Sequence, residues 1–373
     1  MKWIFWCSAG TIAYTYFGYL GWLWCRNRWR GLPVGSAVNT PFISVVMIVR
    51  NEAGVLKQKL QNLMELKYPA DLYEVVVVSD NSTDGTAEIL TSQPVNPRLQ
   101  VILSGVSRGK ASGINEAVAA SRGEIIVLTD ARQMIEGNAL SLLAENFADP
   151  AIGCASGELM LGDPELGEAS SGTGLYWRIE KKIRELESAS GSVVGATGAL
   201  YAIRKKLFRP LPPGTILDDV YVPMNVVKQG SRVVFDGRAR AWDLPHQGTG
   251  KEFSRKVRTL SGNYQLLQLA PWLLTKANPI RFEFVSHKLM RLIAPLALVL
   301  AFISSAFIAG PVYRVAFLVQ IAFYGLGILG MAHFTRGRLA RLADAAFTFV
   351  VLNGAAVVAF GNFVTGRKTA WTR

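Results

Sequence analysis

Cysteine is nearly absent from this chain. Cys7, Cys25 and Cys154 are the only three in 373 residues, and they make neither a disulfide framework nor a zinc quartet. Charge is also scarce, at 18% of residues against about a quarter in ordinary soluble domains. Acidic residues are the scarcer sign, 27 against 40 Lys and Arg, leaving a net charge of +13. No GxGxxG follows the first strand-like run and no GxxxxGK[ST] occurs anywhere, so dinucleotide and P-loop readings have no support. Half of the residues are apolar, which excludes a disordered chain. A nucleic-acid binder would carry more charge, arranged as a basic stripe. A basic chain with this much apolar content points to a membrane protein with basic edges, and the length allows about two domains.

The apolar excess is concentrated. Trp3 to Cys25 is 23 residues without Asp, Glu, Lys or Arg, long enough as a helix to span a hydrocarbon core of ~30 Å. Trp3, Trp6, Trp22 and Trp24 near its ends resemble an aromatic belt. A cleaved signal peptide fits less well, because the apolar run is too long. Three more uncharged runs close the chain: Leu292–Tyr313, Val315–Thr335 and Ala345–Gly366. Arg26, Arg28 and Arg30, Lys288 and Arg291, and Arg336, Arg338 and Arg341 all fall on one side if the middle of the chain is cytoplasmic. The expected location is therefore the cell membrane, plasma or inner, with several passes. Arg367, Lys368 and Arg373 break the rule if the last run spans, so either the tail is an exception or that segment does not cross.

The middle, 41–268, alternates strand and helix: strands at Ile43–Val49, Glu74–Ser79, Leu99–Leu103 and Glu124–Thr129, helices at Ala53–Leu66, from Thr86, and at Ala111–Ala120. Strands apolar on both faces predict a mostly parallel sheet covered by helices. Ligands on such sheets bind beyond the carboxyl ends of the strands. Those ends carry Arg50-Asn51-Glu52, Asp80-Asn81-Ser82-Thr83-Asp84 and Asp130-Ala131-Arg132. Singly, each has a local explanation in helix capping or an Asx-turn; three together mark a site.

Six segments in order, ISVVMIVRNEA (43–53), VVVSDNSTDGT (76–86), RGKASGINEA (108–117), IIVLTDAR (125–132), VVGATGALYAIRKKLF (193–208) and ILDDVYVPMNVVKQG (216–230), resemble the membrane-bound family 2 glycosyltransferases, relatives of the processive polysaccharide synthases. The resemblance implies an α/β GT-A domain, Rossmann-like and mostly parallel, with flanking transmembrane helices. The implied division is an N-terminal membrane helix at 1–30, the catalytic domain at 41–268, an interfacial segment at 269–291 that includes Trp272, and three membrane helices at 292–373.

It also implies roles. Asn51, Glu52 and Asp80 would bind the nucleoside, and Lys110 would offset phosphate charge. Asp130 matches the first aspartate of the DxD motif, which holds Mg²⁺ or Mn²⁺ against the donor's phosphates. Position 132 departs from the pattern: arginine cannot ligate a cation, so it either pairs with a phosphate or marks weaker metal dependence. His246 is a second candidate ligand, with an ordinary loop histidine as the plainer reading. Asp219 matches the general base, beside Asp218; Gly198 lies on the acceptor side in a run of small residues, and Arg204 is structural or contacts an anion. Arg255 and Arg258 fall where processive relatives have QxxRW. Thr259 replaces the tryptophan, which removes the aromatic platform for a growing glycan. Asp84 is equally readable as ligand or helix cap.

The implied activity is inverting transfer of a sugar from a nucleotide-sugar donor, a UDP-sugar by resemblance, to a polysaccharide or lipid-linked acceptor, with membrane lipid and partner subunits around it and no nucleic acid. The alternative is a non-catalytic nucleotide-sugar-binding subunit of a synthase complex, favoured by Arg132 and Thr259 and opposed by Asp80, Asp130 and Asp219.

Overall fold

The computed structural model describes residues 1–162, 175–243, 249–332 and 337–367. Its centre is one eight-stranded sheet. The first strands follow the apolar runs of the sequence: β1 (Ile43–Val49) and β2 (Tyr73–Asp80) are buried along their whole length, and β4 (Ile125–Thr129) likewise. With β3 (Leu99–Ser104) they pair in parallel, in the order β3-β2-β1-β4. Helices α3 (Ala53–Met64), α4 (Thr86–Thr91) and α5 (Lys110–Ala120) connect them. In α3 the stripe Leu56, Leu60 and Leu63 is buried against one sheet face, while Ile114, Ala117 and Val118 of α5 are buried on the other. This half matches the sequence reading within a few residues at each end.

The other half adds antiparallel pairs to a sheet that remains parallel in four of its seven strand pairings. Strands β5 (Met134–Ile135), β6 (Ile152–Leu161), β7 (Tyr201–Arg204) and β8 (Arg232–Asp243) continue the sheet as β4-β7-β6-β8-β5. The pairs β4–β7, β6–β7 and β5–β8 are antiparallel and only β6–β8 is parallel, so the sheet is mixed. Glycine hides β6 from a propensity reading. A Cβ on Gly153 would lie 2.5 Å from Val226 Cγ1, and one on Gly157 would lie 2.7 Å from the Ala239 carbonyl oxygen. The strand needs those glycines for close neighbours.

A helix runs without interruption through α1 (Lys2–Ala13), a π-helical stretch (Tyr14–Gly18) and α2 (Tyr19–Trp29). Beyond the sheet domain, α10 (Arg281–Phe284) continues through a second π stretch (Val285–Leu289) into α11 (Met290–Phe307), followed by α12 (Pro311–Met331) and α13 (Gly337–Val364). Among the described residues, three helices are long and apolar enough to cross a membrane: Arg281–Phe307, Pro311–Met331 and Leu339–Val364, with mean hydropathies of 2.0, 1.7 and 1.8. The N-terminal helix, rich in Tyr and Trp, is not among them.

The last helix does not end remote from the sheet domain. Helix α9 (Thr249–Leu269) packs Val257 on Ala355 and Ala359 of α13, and Tyr264 stacks on Phe363 at 5.1 Å between ring centroids. The chain therefore leaves α13 beside α9. At the other end of the bundle, Phe5 packs edge-on against Tyr313 at the start of α12. Within the 269–291 segment, Pro271–Leu274 is a short 3-10 turn with Leu273 buried in the sheet domain's core.

Candidate active site

The strand ends bring the expected residues to one edge, and each is placed by its own local geometry. Asn51 sits at φ +55°, a left-handed conformation that asparagine tolerates. Its Oδ1 accepts the Thr83 N–H at 2.8 Å, which joins the β1 and β2 termini. Glu52 precedes α3, and its own N–H donates to Thr86 Oγ1 at 3.0 Å. Asp84 resolves as a cap: it accepts the Ala53 N–H at 3.0 Å and the Thr86 N–H at 3.1 Å, at the starts of α3 and α4. Burial would raise its carboxyl slightly, but these bonds hold it below its ordinary value.

Asp80, the last residue of β2, is buried. Its Oδ1 accepts the Arg108 N–H at 2.7 Å, and its Oδ2 accepts the Ser107 hydroxyl at 2.8 Å and the Gly109 N–H at 3.1 Å. The carboxylate thus fixes the loop that delivers Lys110 to the start of α5. Gly109 turns that loop at φ +84°, a conformation glycine adopts at little steric cost.

Lys110 joins the centre together. Its Nζ lies 2.9 Å from Asp130 Oδ1 and 3.1 Å from Asp218 Oδ1. Burial alone would lower the ammonium's pKa; Asp130 and Asp218 outweigh burial and hold it well above its ordinary value. Asp130 follows β4 and is half exposed. Asp218 and Asp219 open helix α8 (Asp218–Lys228), where the helix dipole favours negative charge. Burial first, and the Asp218 carboxylate second, push Asp219 up to about 6, against the pull of Lys110 and Lys288. A carboxylate at that value is matched to general-base work near neutral pH.

Gly198 lies between the two acids: a Cβ there would be 3.5 Å from Asp219 Oδ2 and 3.7 Å from Asp130 Oδ2. The loop 193–199 is held against α8 by a proline. Pro223 has no N–H, so the Asp219 carbonyl four residues earlier receives no helical bond from it. That carbonyl accepts the Ala196 N–H at 2.7 Å instead.

The remaining candidates divide. Arg258 faces the cluster of Asp218, Asp130 and Asp219, and its buried Nε has no partner atom. Arg255 lies 4.0 Å and Arg132 3.6 Å from the buried Asp243 carboxylate. Thr259 donates back to the Arg255 carbonyl and is exposed. Arg204 is structural: it donates to the carbonyls of Ile152, Phe147 and Asp149. His246 lies outside the described residues.

Two residues were missed. Asp243, at the end of β8, also accepts from Gln133 Nε2 at 2.9 Å. Lys59 is fully buried in α3 and donates to Thr129 Oγ1 and the Gln133 carbonyl below Asp130. Burial pushes it down to about 7, with Asp130 opposing. The signal for Lys59 was present, since it falls between Leu56 and Leu63 on the buried face of an amphipathic helix. Asp243 gave none, because its role depends on two distant arginines.

Residues 44–211 match the family model described as glycosyl transferase family 2. A poly-beta-1,6-N-acetyl-D-glucosamine synthase of Staphylococcus epidermidis is 23% identical over 271 residues, covering 70% of this chain and 64% of the relative. One from Staphylococcus aureus is 24% identical over 234 residues, covering 60% and 55%. The chain thus spans under two thirds of the length of these relatives. Among solved structures, a mannosyltransferase from Pyrobaculum calidifontis, PcManGT, in complex with GDP-Man and Mn²⁺, superposes with a TM-score of 0.75 at 20% identity, over 98% of this chain and 100% of that one. That likeness extends the shared fold from the sheet domain to the helices around it. With the family model on the strands that carry the site, the sheet domain has a GT-A-like fold, and residues 44–211 form a glycosyl transferase family 2 domain.

Proposed function

We propose that the chain is an inverting glycosyltransferase that moves a hexosyl or N-acetylhexosaminyl group from a nucleotide-sugar donor, a UDP-sugar, to a polysaccharide or lipid-linked acceptor at the membrane. The observation that carries this reading is the convergence of Asp130, Lys110, Gly198 and Asp219 at one edge of the sheet. In this reading Asp219 takes the proton from the acceptor hydroxyl as its oxygen attacks the anomeric carbon. The bond from that carbon to the diphosphate breaks in the same displacement, so the configuration inverts. Lys110 and Arg258 neutralise the charge that leaves with the diphosphate. Asn51, Glu52 and Asp80 line the nucleoside end, Gly198 and Asp218 stand on the acceptor side, and Arg255 reaches the diphosphate from α9.

A divalent ion fits this donor set in one way. No group of three or more His, Cys, Asp or Glu able to hold a metal occurs among the described residues. Mg²⁺ commonly needs no such cage, since one carboxylate, water and substrate phosphates suffice. Asp130, half exposed at a strand end, offers that carboxylate to Mg²⁺ or Mn²⁺, with His246 the further proposed ligand. When bound, the ion supplies Lewis-acid stabilisation of the departing diphosphate. Arg132 does not compete for the position in this arrangement, since its guanidinium is directed to Asp243.

The domain is proposed to face the cytoplasm of a multi-pass protein of the cell membrane, with 1–30, 269–291 and 292–373 as its membrane-associated parts and partner subunits beside it. Purified protein incubated with a panel of labelled nucleotide sugars tests the reading. Release of nucleotide from one donor, lost in Asp219→Asn, supports it. Release no faster than the protein-free rate by both proteins, from every donor, points instead to the non-catalytic binding subunit. Product sizing then separates a ladder from a single lipid-soluble species.

A further inference from the structure

Away from the donor site, a buried polar cluster joins the sheet domain to the helices beside it. Helix α7 (Leu175–Ser190) presents Glu180 and Glu187 to His287, which lies in the π-helical stretch leading into α11. All three are under 10% exposed. His287 Nδ1 is 2.8 Å from Glu187 Oε1, and its Nε2 is 3.1 Å from Glu180 Oε1. Each ring nitrogen therefore meets a carboxylate oxygen, and the ring bridges the two acids.

Further polar and charged groups surround the two carboxylates. Tyr19 of α2 donates to Glu187 at 2.6 Å, Arg291 donates to Glu180 at 2.7 Å, and Arg184 lies 3.5 Å from Glu180. Burial would raise Glu180, but Arg291, His287 and Arg184 hold it well below its ordinary value. Lys288 is the other cation that acts on Glu180, and it acts on Asp219 as well. Arg26 of α2 pairs with Glu283 of α10 at the edge of the same junction.

The second oxygen of Glu187 leads to the site. It accepts the Val194 N–H at 3.3 Å. Val194 begins the loop whose Ala196 N–H is bonded to the Asp219 carbonyl and whose Gly198 separates Asp219 from Asp130. A buried carboxylate gripped by an imidazole ring and a phenol is held far more rigidly than one in water, because each lost bond would leave a buried group unpaired.

We infer that His287 is a positioning residue for the general base: by fixing Glu187 it fixes the loop 193–199 against Asp219. The inference deepens the glycosyltransferase reading and rests on it for the role of Asp219. The mechanical link itself does not depend on that reading.

Hydrogen–deuterium exchange on the full chain in detergent tests the link, with His287→Gln as the variant. Deuterium uptake is expected to rise severalfold in peptides covering 193–199 while peptides of β1 and β2 match wild type. With the UDP-sugar that wild type turns over, kcat is expected to fall about tenfold while the Kd for UDP, measured by titration calorimetry, stays within twofold. Unchanged uptake at 193–199 overturns the inference, as does a rise spread evenly over the whole domain. If His287→Gln does not fold, His287→Gln with Glu180→Gln removes the unpaired charge and is judged by the same criteria. A wild type that turns over no donor would count against the enzyme reading alone, since the exchange result stands without turnover.

Discussion

Asp219 combines two environments that pull in opposite directions. Burial and Asp218 raise it, while Lys110 and Lys288 lower it, and the balance stands at about 6. In the proposed role of general base, Asp219 works only when ionised. Activity is therefore expected to be full above that value and to fall about tenfold per pH unit below it, read from kcat/KM between pH 4.5 and 8. Asp219→Asn is expected to lower kcat by about 10²–10⁴-fold with UDP binding retained, checked by nucleotide release and calorimetry. Lys110→Met has a different signature. It leaves Asp130 and the buried Asp218 without their shared cation and is expected to weaken UDP binding about tenfold or more as well as slow turnover, because buried carboxylates and diphosphate would then repel. These residue types were legible from the strand ends, as was the departure at Arg132. That Asp80 also holds the loop bearing Lys110 was not legible, because its partners Ser107, Arg108 and Gly109 are in another connection.

Among the elements, α8 carries a device that local rules would count as a fault. A proline inside a helix normally costs about 3 kcal/mol, yet here the carbonyl it leaves open is the one that docks the Ala196 N–H. Pro223→Ala is expected to lower kcat severalfold without lowering thermal stability, since an alanine N–H would compete for that carbonyl. Glycine has the opposite kind of strictness in the long apolar helices. A Cβ on Gly330 of α12 would lie 2.4 Å from the Ala343 carbonyl oxygen of α13, so the two backbones touch there. Gly330→Leu is expected to force these helices apart, costing about 1–3 kcal/mol by overpacking, measured as earlier thermal unfolding in detergent. Helices α3 and α5 and strands β1 to β4 were readable because their periods are local. Strand β6 was not, because its glycines serve neighbours rather than its own backbone.

Over the whole molecule, α13 ends against α9, which also carries Arg255 and Arg258 to the site. The C-terminus and the catalytic domain are therefore expected on the same side of the membrane. A fluorescent protein that matures only in the cytoplasm, fused after Arg373, is expected to be bright if the domain is cytoplasmic; a dark fusion beside a protease-protected domain would place them on opposite sides. A hydropathy reading counts apolar runs without seeing which helix each one packs on, so the contact of α13 with α9 was not legible in the sequence.

The sequence by itself determined the alternation of strand and helix, the acids at the strand ends, the apolar runs and the resemblance to a family. All of these rest on residue neighbours, on spacings of two to four residues or on ordered motifs. Only the tertiary structure decided which way the second half of the sheet runs, that Lys110 is shared by two carboxylates, that Asp84 caps two helices, and that His287 reaches Glu187. Those facts depend on groups far apart in the chain, whose meeting is fixed by burial and by the need to pair every buried charge.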